Sequence, residues 1–216
     1  MYLEVTLTDE SKIKWLLKQG NGMFTASQAT EIGIHRQQLT GFVKAGLLER
    51  AERGIYISPG EHGDTLFWMQ QRAQKIVYSH ETALFLHRMI DSPPLLYSIT
   101  VPSSYKASAA LKKYCAIFYI KQELIDLGKT KKDSMMGNSI VTYDLERTLC
   151  DVIRSRNKMD SGLVVKTLKN YARSGAKDLQ RLYKYAENFG IEKILHHYLR
   201  DVMLEETIMD IKRLVR

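Results

Sequence analysis

Residues 25–44, Thr-Ala-Ser-Gln-Ala-Thr-Glu-Ile-Gly-Ile-His-Arg-Gln-Gln-Leu-Thr-Gly-Phe-Val-Lys, carry the pattern on which the reading of the fold turns. Thr25 and Gln28 have the spacing of a capping box, in which each side chain accepts a hydrogen bond from the other residue's backbone N–H and so starts a helix. Gly33 offers the left-handed backbone that stops this helix early. A following helix begins near Ile34 and presents Leu39, Phe42 and Val43 at helical spacing. Ala29 is small enough to let the two helices approach, and Ile32, Ile34, Leu39 and Phe42 lock one against the other. The buried stripe leaves Arg36, Gln37, Thr40 and Lys44 on the outer face, with Gln38 at its edge.

This arrangement resembles the helix-turn-helix of DNA-binding regulators. The outer residues are of base-reading types, since arginine forks onto guanine O6 and N7 and glutamine onto adenine N6 and N7. Thr25 and Ser27, at the start of the preceding helix, are placed to hold a phosphate.

Outward from this stretch, Thr8 caps a first helix whose inward residues are Ile13, Leu16 and Leu17 and which Gly20 and Gly22 end. Downstream, Gly46 closes the second helix of the pair. Residues 47–50 and 55–57 read as strands joined through Ala51-Glu-Arg-Gly54, a hairpin that serves as a wing with Arg53 at its tip. Turn-formers crowd Ser58-Pro-Gly-Glu-His-Gly-Asp64, which sets an expected boundary between a winged helix-turn-helix at 1–60 and a second domain at 61–216.

Beyond the boundary, Asp64 caps a helix to about residue 74, 76–78 is a short strand and Ser79 caps a helix over 80–89. Residues 95–101 and 115–120 are rich in aromatic and β-branched side chains and read as strands. Gly137-Asn138 forms a hairpin tip returning along 139–143, and Asp144 caps a helix to about residue 156. From Asp160 to the end the pattern is helical, with breaks near Gly175 and Gly190. The fold class expected is α+β: a winged helix-turn-helix, then a mixed domain with strands over 61–143 and helices over 144–216.

The 216 residues carry 32 Lys and Arg against 24 Asp and Glu, a net charge of +8. Residues 1–60 hold only +1 of this and the second domain +7, so non-specific attraction to DNA is expected from the second domain. Cys115 and Cys150 are far apart in apolar surroundings and read as reduced thiols. The acidic N-terminal stretch lacks the apolar segment of a signal peptide, and no apolar run approaches the ~18 residues of a membrane helix. A soluble cytoplasmic protein with no membrane partner is expected.

Longer motifs then point to a family. Leu-Leu-Glu-Arg-Ala-Glu-Arg-Gly-Ile-Tyr-Ile at 47–57 resembles the wing of the AbiEi antitoxins of type IV toxin–antitoxin, or abortive infection, systems. The likeness continues in Tyr-Ser-His-Glu-Thr-Ala-Leu-Phe-Leu-His at 78–87, Tyr-Ser-Ile-Thr-Val-Pro at 97–102 and Tyr-Asp-Leu-Glu-Arg-Thr-Leu-Cys-Asp-Val-Ile at 143–153. It runs on into Leu-Tyr-Lys-Tyr-Ala-Glu at 182–187. The resemblance implies a phage-defence antitoxin that binds inverted repeats in operator DNA and represses its own operon. It also implies a second domain that counteracts a nucleotidyltransferase-type toxin without requiring a stable complex.

The second domain's own residues read mostly as structural. Asp144-Leu-Glu-Arg147 is a helix start, and Arg147 pairs with Asp151 one turn on. His80 is expected as a hydrogen-bonded residue near the surface. Lys166, Lys169, Arg173, Lys177, Arg181 and Lys184 form a candidate basic face for DNA or an acidic partner. Residues 129–132 read as an exposed strand or loop. No phosphate-cradling glycine loop and no zinc-ligand spacing is visible, so no cofactor, metal or catalytic residue is assigned. A winged-helix regulator with a ligand-sensing second domain is the alternative. A nuclease built on Asp144, Glu146 and Asp151 lacks a strand-borne carboxylate pair followed by lysine.

Overall fold

A computed structural model of the chain describes residues 8–60 and 63–202. Contacts divide it into two units, one of residues up to Arg72 together with Asp133–Ile140, the other of Ala73–Lys132 and the chain from Val141 onward. The first unit thus extends past the expected boundary by a whole helix and includes the hairpin tip at 133–140.

In the first unit, α1 (Asp9–Gln19), α2 (Ala26–Glu31) and α3 (Arg36–Lys44) close over a sheet of β1 (Met23–Thr25), β2 (Glu49–Glu52) and β3 (Ile55–Ile57) in the order β1-β3-β2, antiparallel throughout. Ile13, Leu16, Phe24, Ala29, Ile34, Leu39, Leu48 and Tyr56 form the core. Gly33 stands at φ +82° between α2 and α3, the left-handed turn that an L side chain resists. The hairpin's first strand lies two residues later than expected. Leu47 N–H closes α3 by bonding to Phe42 O at 3.0 Å, and Leu48 is buried in the core, so the ladder begins only at Glu49. Glu49 faces Ile57 and Glu52 faces Ile55, which leaves one extra residue on β2 as a bulge.

Asp64 caps α4 (Thr65–Arg72) through Phe67 N–H at 3.1 Å, and its other oxygen accepts from Asn138 Nδ2 at 3.0 Å and from Ser134 Oγ.

The second unit contains a five-stranded sheet of β4 (Val77–Tyr78), β5 (Tyr97–Pro102), β6 (Cys115–Ile120), β7 (Lys129–Asp133) and β8 (Ser139–Tyr143), with the last strands shared across the hairpin tip. The order is β6-β5-β4-β8-β7, with β4 antiparallel to β5 and parallel to β8. Helices α5 (His80–Leu86), α6 (Ala109–Tyr114), α7 (Leu145–Arg154), α8 (Ser161–Arg173) and α9 (Leu179–Phe189) follow in chain order, and residues 192–202 are again helical. Leu149, Leu168, Tyr171, Leu182 and Leu195 fill the helical core. The helix expected from Asp144 is α7, with Arg147 N–H on Asp144 Oδ1 at 2.8 Å. Gly190 breaks the chain at φ +63°.

Two expectations differ here. Residues 95–96 are not in the strand: Leu95 and Leu96 are exposed and β5 starts at Tyr97. Helix α6, capped by Ser108, lies in a stretch to which the sequence assigned no element. Ser79 does not cap α5 by its side chain, because its Oγ accepts from Thr100 Oγ1 at 2.8 Å instead. The helical reading beyond residue 202 lies outside the described residues.

The first unit's nucleus is open to a direct test. Thr25→Ala removes the cap on α2, which accepts Gln28 N–H at 3.1 Å while Gln28 Oε1 accepts Thr25 N–H at 2.7 Å. The expected cost is about 1 kcal/mol, read as faster hydrogen exchange of the α2 amides by native-state mass spectrometry.

Candidate nucleic-acid interface

The periodicity of α3 sorts its residues into two faces. Leu39 is fully buried and Phe42 and Val43 pack partly against the same core, while Arg36, Gln37, Thr40 and Lys44 are exposed. These four fall at steps of one, three and four residues and therefore share one side of the helix. Thr40 spends its hydroxyl proton on Arg36 O at 2.9 Å, which leaves its methyl group and oxygen lone pairs facing outward.

Gln38 is engaged differently from its neighbours. Its Oε1 accepts His35 N–H at 2.7 Å, which caps α3, and its Nε2 donates to Asp9 Oδ2 at 2.5 Å, which ties α3 to α1. Both ends of the amide are occupied within the fold, so its part is to fix the helix that carries the exposed face. Thr25 is half-buried as the α2 cap and Ser27 is exposed beside it. Arg53 is exposed in the turn between β2 and β3, and that turn is anchored to α2 through Ala26 N–H on Gly54 O at 2.9 Å.

Gly41 belongs to this face and was not singled out by sequence. It is exposed, and a Cβ built there would meet nothing within 4 Å. Glycine inside a helix costs roughly 1 kcal/mol relative to alanine. Nothing within the fold requires it, and that mid-helix cost is the signal by which the sequence could have marked it.

The basic residues of the second unit do not form one helical face. Lys166, Lys169 and Arg173 lie on α8, Lys177 in the turn after it, and Arg181 and Lys184 on α9. Lys166 is 3.1 Å from Asp91, Lys177 Nζ donates to Ser174 O at 3.2 Å, and Arg181 lies 3.4 Å from Asp178 and 3.9 Å from Glu146. The interruption at 174–178 and these pairings divide the run.

The motif at 143–153 builds a buried ionic core. Arg147 and Asp151 are wholly buried and 3.0 Å apart, and Arg147 Nη1 donates to Leu124 O at 2.9 Å and Leu127 O at 2.6 Å. Its guanidinium lies 4.0 Å from the Tyr143 ring centre and 4.5 Å from that of Phe189. Glu146 Oε1 accepts from Tyr171 Oη at 3.2 Å and from Asp178 N–H at 3.1 Å. Asp144, Glu146 and Asp151, the carboxylates of the nuclease reading, are thus held in a cap, a buried junction and an ion pair.

His80 is a correction: it is wholly buried and not near the surface. Its ring stacks on Phe118 with centres 3.5 Å apart, Nδ1 lies 2.9 Å from Ser79 Oγ and Nε2 lies 3.0 Å from Ser155 Oγ. Its backbone takes φ +44°, a conformation rare outside glycine and asparagine. No local pattern signals this, because Phe118 and Ser155 come from distant parts of the chain.

The first unit is thus three helices closed by a small antiparallel sheet, with one helix presenting a polar exposed face. Residues 12–59 match the family model described as "Transcriptional regulator, AbiEi antitoxin". No curated protein matches the chain. The crystal structure of RV2827C protein from Mycobacterium tuberculosis is similar in fold, with a TM-score of 0.55 at 15% identity over 82% of this chain and 70% of that one. No helix among the described residues is long and apolar enough to cross a membrane.

His80 makes the second unit acid-sensitive. Burial lowers its pKa from 6.5 to about 4 against the opposing pull of Asp151, with Arg154 and Arg147 pushing the same way as burial. Burial lowers His87 as well, although its Nε2 donates to Tyr143 O at 2.8 Å. The unfolded chain takes up the His80 proton below about pH 6.5 and the folded chain only near pH 4. Stability is therefore complete above that window and falls on acidification, by about 2–3 kcal/mol between pH 7 and 4.5 for His80. Urea midpoints at the two pH values are expected to show this loss, and His80→Asn, which tolerates positive φ, to reduce it.

Proposed function

We propose that the chain is an autorepressing antitoxin that reads operator DNA with a winged helix-turn-helix. In this reading α3 is the recognition helix in the major groove, the β2–β3 hairpin is the wing, and Thr25 and Ser27 hold a backbone phosphate. The observation that carries it is the outer face of α3. Four side chains suited to base edges or phosphates stand exposed there while the opposite face is locked into the core. Gly41 supports the same assignment, because a missing side chain mid-face lets a duplex approach closely.

The second unit then counteracts a nucleotidyltransferase-type toxin encoded beside the chain, with no stable complex required. Operator repeats are occupied by two copies. The net charge of +7 over residues 61–216 supplies sequence-independent attraction.

Arg36→Ala and Gln37→Ala are each expected to cost ~1–3 kcal/mol against the operator and to relax base preference. Titration of the DNA upstream of the gene and of a scrambled duplex checks this, and unchanged discrimination in both variants refutes the recognition helix. Gly41→Ala is expected to raise the stability of α3 by up to about 1 kcal/mol while weakening operator binding.

Growth rescue tests the antitoxin role separately. With the neighbouring open reading frame induced, both wild type and Arg36→Ala are expected to relieve toxicity, which locates that activity outside the DNA contact. Toxicity relieved by neither removes the antitoxin reading and leaves a regulator.

A further inference from the structure

The five-stranded sheet ends differently at its two edges. At one, β7 carries Lys129, Lys131, Lys132 and Asp133 and is exposed along most of its length. Charged side chains on an edge strand deter pairing with another chain. At the other edge β6 reads Cys-Ala-Ile-Phe-Tyr-Ile, with no charge, proline or glycine in six residues. It pairs in parallel with β5 from Tyr97↔Cys115 to Pro102↔Ile120 without a bulge. None of the usual devices that blunt an edge is present within this strand.

The phase of the ladder shows what β6 offers. In a parallel pair, alternate residues turn both N–H and C=O toward the neighbour and the others turn away. Ile120 O accepts from Ser103 N–H at 2.7 Å on the β5 side, whereas Cys115 N–H bonds back to Leu111 O. Ile117 and Tyr119 are in phase with Cys115, so their backbone groups point away from β5. Phe118 faces inward onto His80, while Tyr119 is 49% exposed and Ile117 partly so, an apolar strip beside an edge that no strand among the described residues covers.

The flanks decide the occupant. Exposed Lys112 and Lys113 stand three and two residues before β6 and exposed Lys121 follows it directly, with Glu123 two residues further on. A second copy of β6 in full overlap would crowd lysines: antiparallel, Lys121 meets Tyr114 beside Lys113 and only Lys112 meets an acidic residue, Glu123, while parallel each lysine meets itself. A strand with carboxylates at its ends meets the opposite sign at both. We propose that β6 is an augmentation edge that receives an extended segment of a partner protein, apolar at alternate positions and flanked by acidic residues.

The test uses the full chain and a fluorescein-labelled nine-residue peptide of alternating valine and threonine between paired aspartates, with a lysine-flanked twin as control. Fluorescence anisotropy is expected to show saturable binding of the acidic peptide only. Joint Lys112→Glu, Lys113→Glu and Lys121→Glu substitution is expected to weaken it by about tenfold or more and to transfer preference to the lysine-flanked twin. Tyr119→Pro removes an outward N–H without touching the β5 ladder and is expected to abolish binding with the melting temperature retained; if this variant unfolds, the charge reversal alone decides. No binding of the acidic peptide, equal binding of both peptides, or indifference to charge reversal overturns the proposal. So does a solution dimer that charge reversal leaves intact, which assigns the edge to a second copy. The probe contains no nucleic acid, so these outcomes are independent of how α3 is read.

Discussion

The guanidinium of Arg147 is the group around which the second unit is arranged. A buried charge costs several kcal/mol of lost hydration unless partners surround it. Here the partners are the Asp151 carboxylate, the carbonyls of Leu124 and Leu127, and the ring faces of Tyr143 and Phe189. They come from the turn after β6, the approach to β7, the end of β8, and helices α7 and α9. Asp151 Oδ1 lies 3.2 Å from Arg154 as an ion pair outside hydrogen-bonding geometry, and Arg147 Nη2 has no hydrogen bond. Gly128 completes the cradle: at φ +75°, a Cβ on it would come within 2.6 Å of Arg147 Cβ. The same charges set the field around His80, where Asp151 favours a proton and both arginines oppose it.

The first unit achieves rigidity by other means. Its helices are short, so caps and side-chain ties carry much of their definition: Thr25 with Gln28 on α2, Gln38 on α3, and Asp64 on α4. Gln38 joins α3 to α1 while leaving Arg36, Gln37 and Lys44 outward. These ties sit on the side away from the exposed face and hold its side chains in register.

What the sequence made legible was local. The capping box at Thr25, the left-handed turn at Gly33, the Asp144 cap, and the hairpin at Gly137 and Asn138 depend on residues within four or five positions, and each stands where it was read. The outer face of α3 was legible for the same reason, because helical period alone assigns it. What escaped depends on distant partners. Gln38 reads as an edge contact until Asp9 takes its amide, and Ser79 reads as a cap until Thr100 takes its hydroxyl. His80 reads as a surface residue until Phe118 and Ser155 enclose it.

The hairpin tip at 133–140 makes the first unit discontinuous along the chain. The polypeptide leaves the first unit after Arg72, returns to it for eight residues, and leaves again. The buried oxygen of Asp64 depends on that return, since Ser134 and Asn138 are its partners. A unit of this design cannot be exchanged between genes as one contiguous cassette. A graft ending at residue 72 would strand Asp64, and a donor would have to bring its own tip or accept a recipient's that fits. Change in this unit is thereby steered toward point substitutions on the outer face of α3, where substitution disturbs no packing, and away from wholesale recombination.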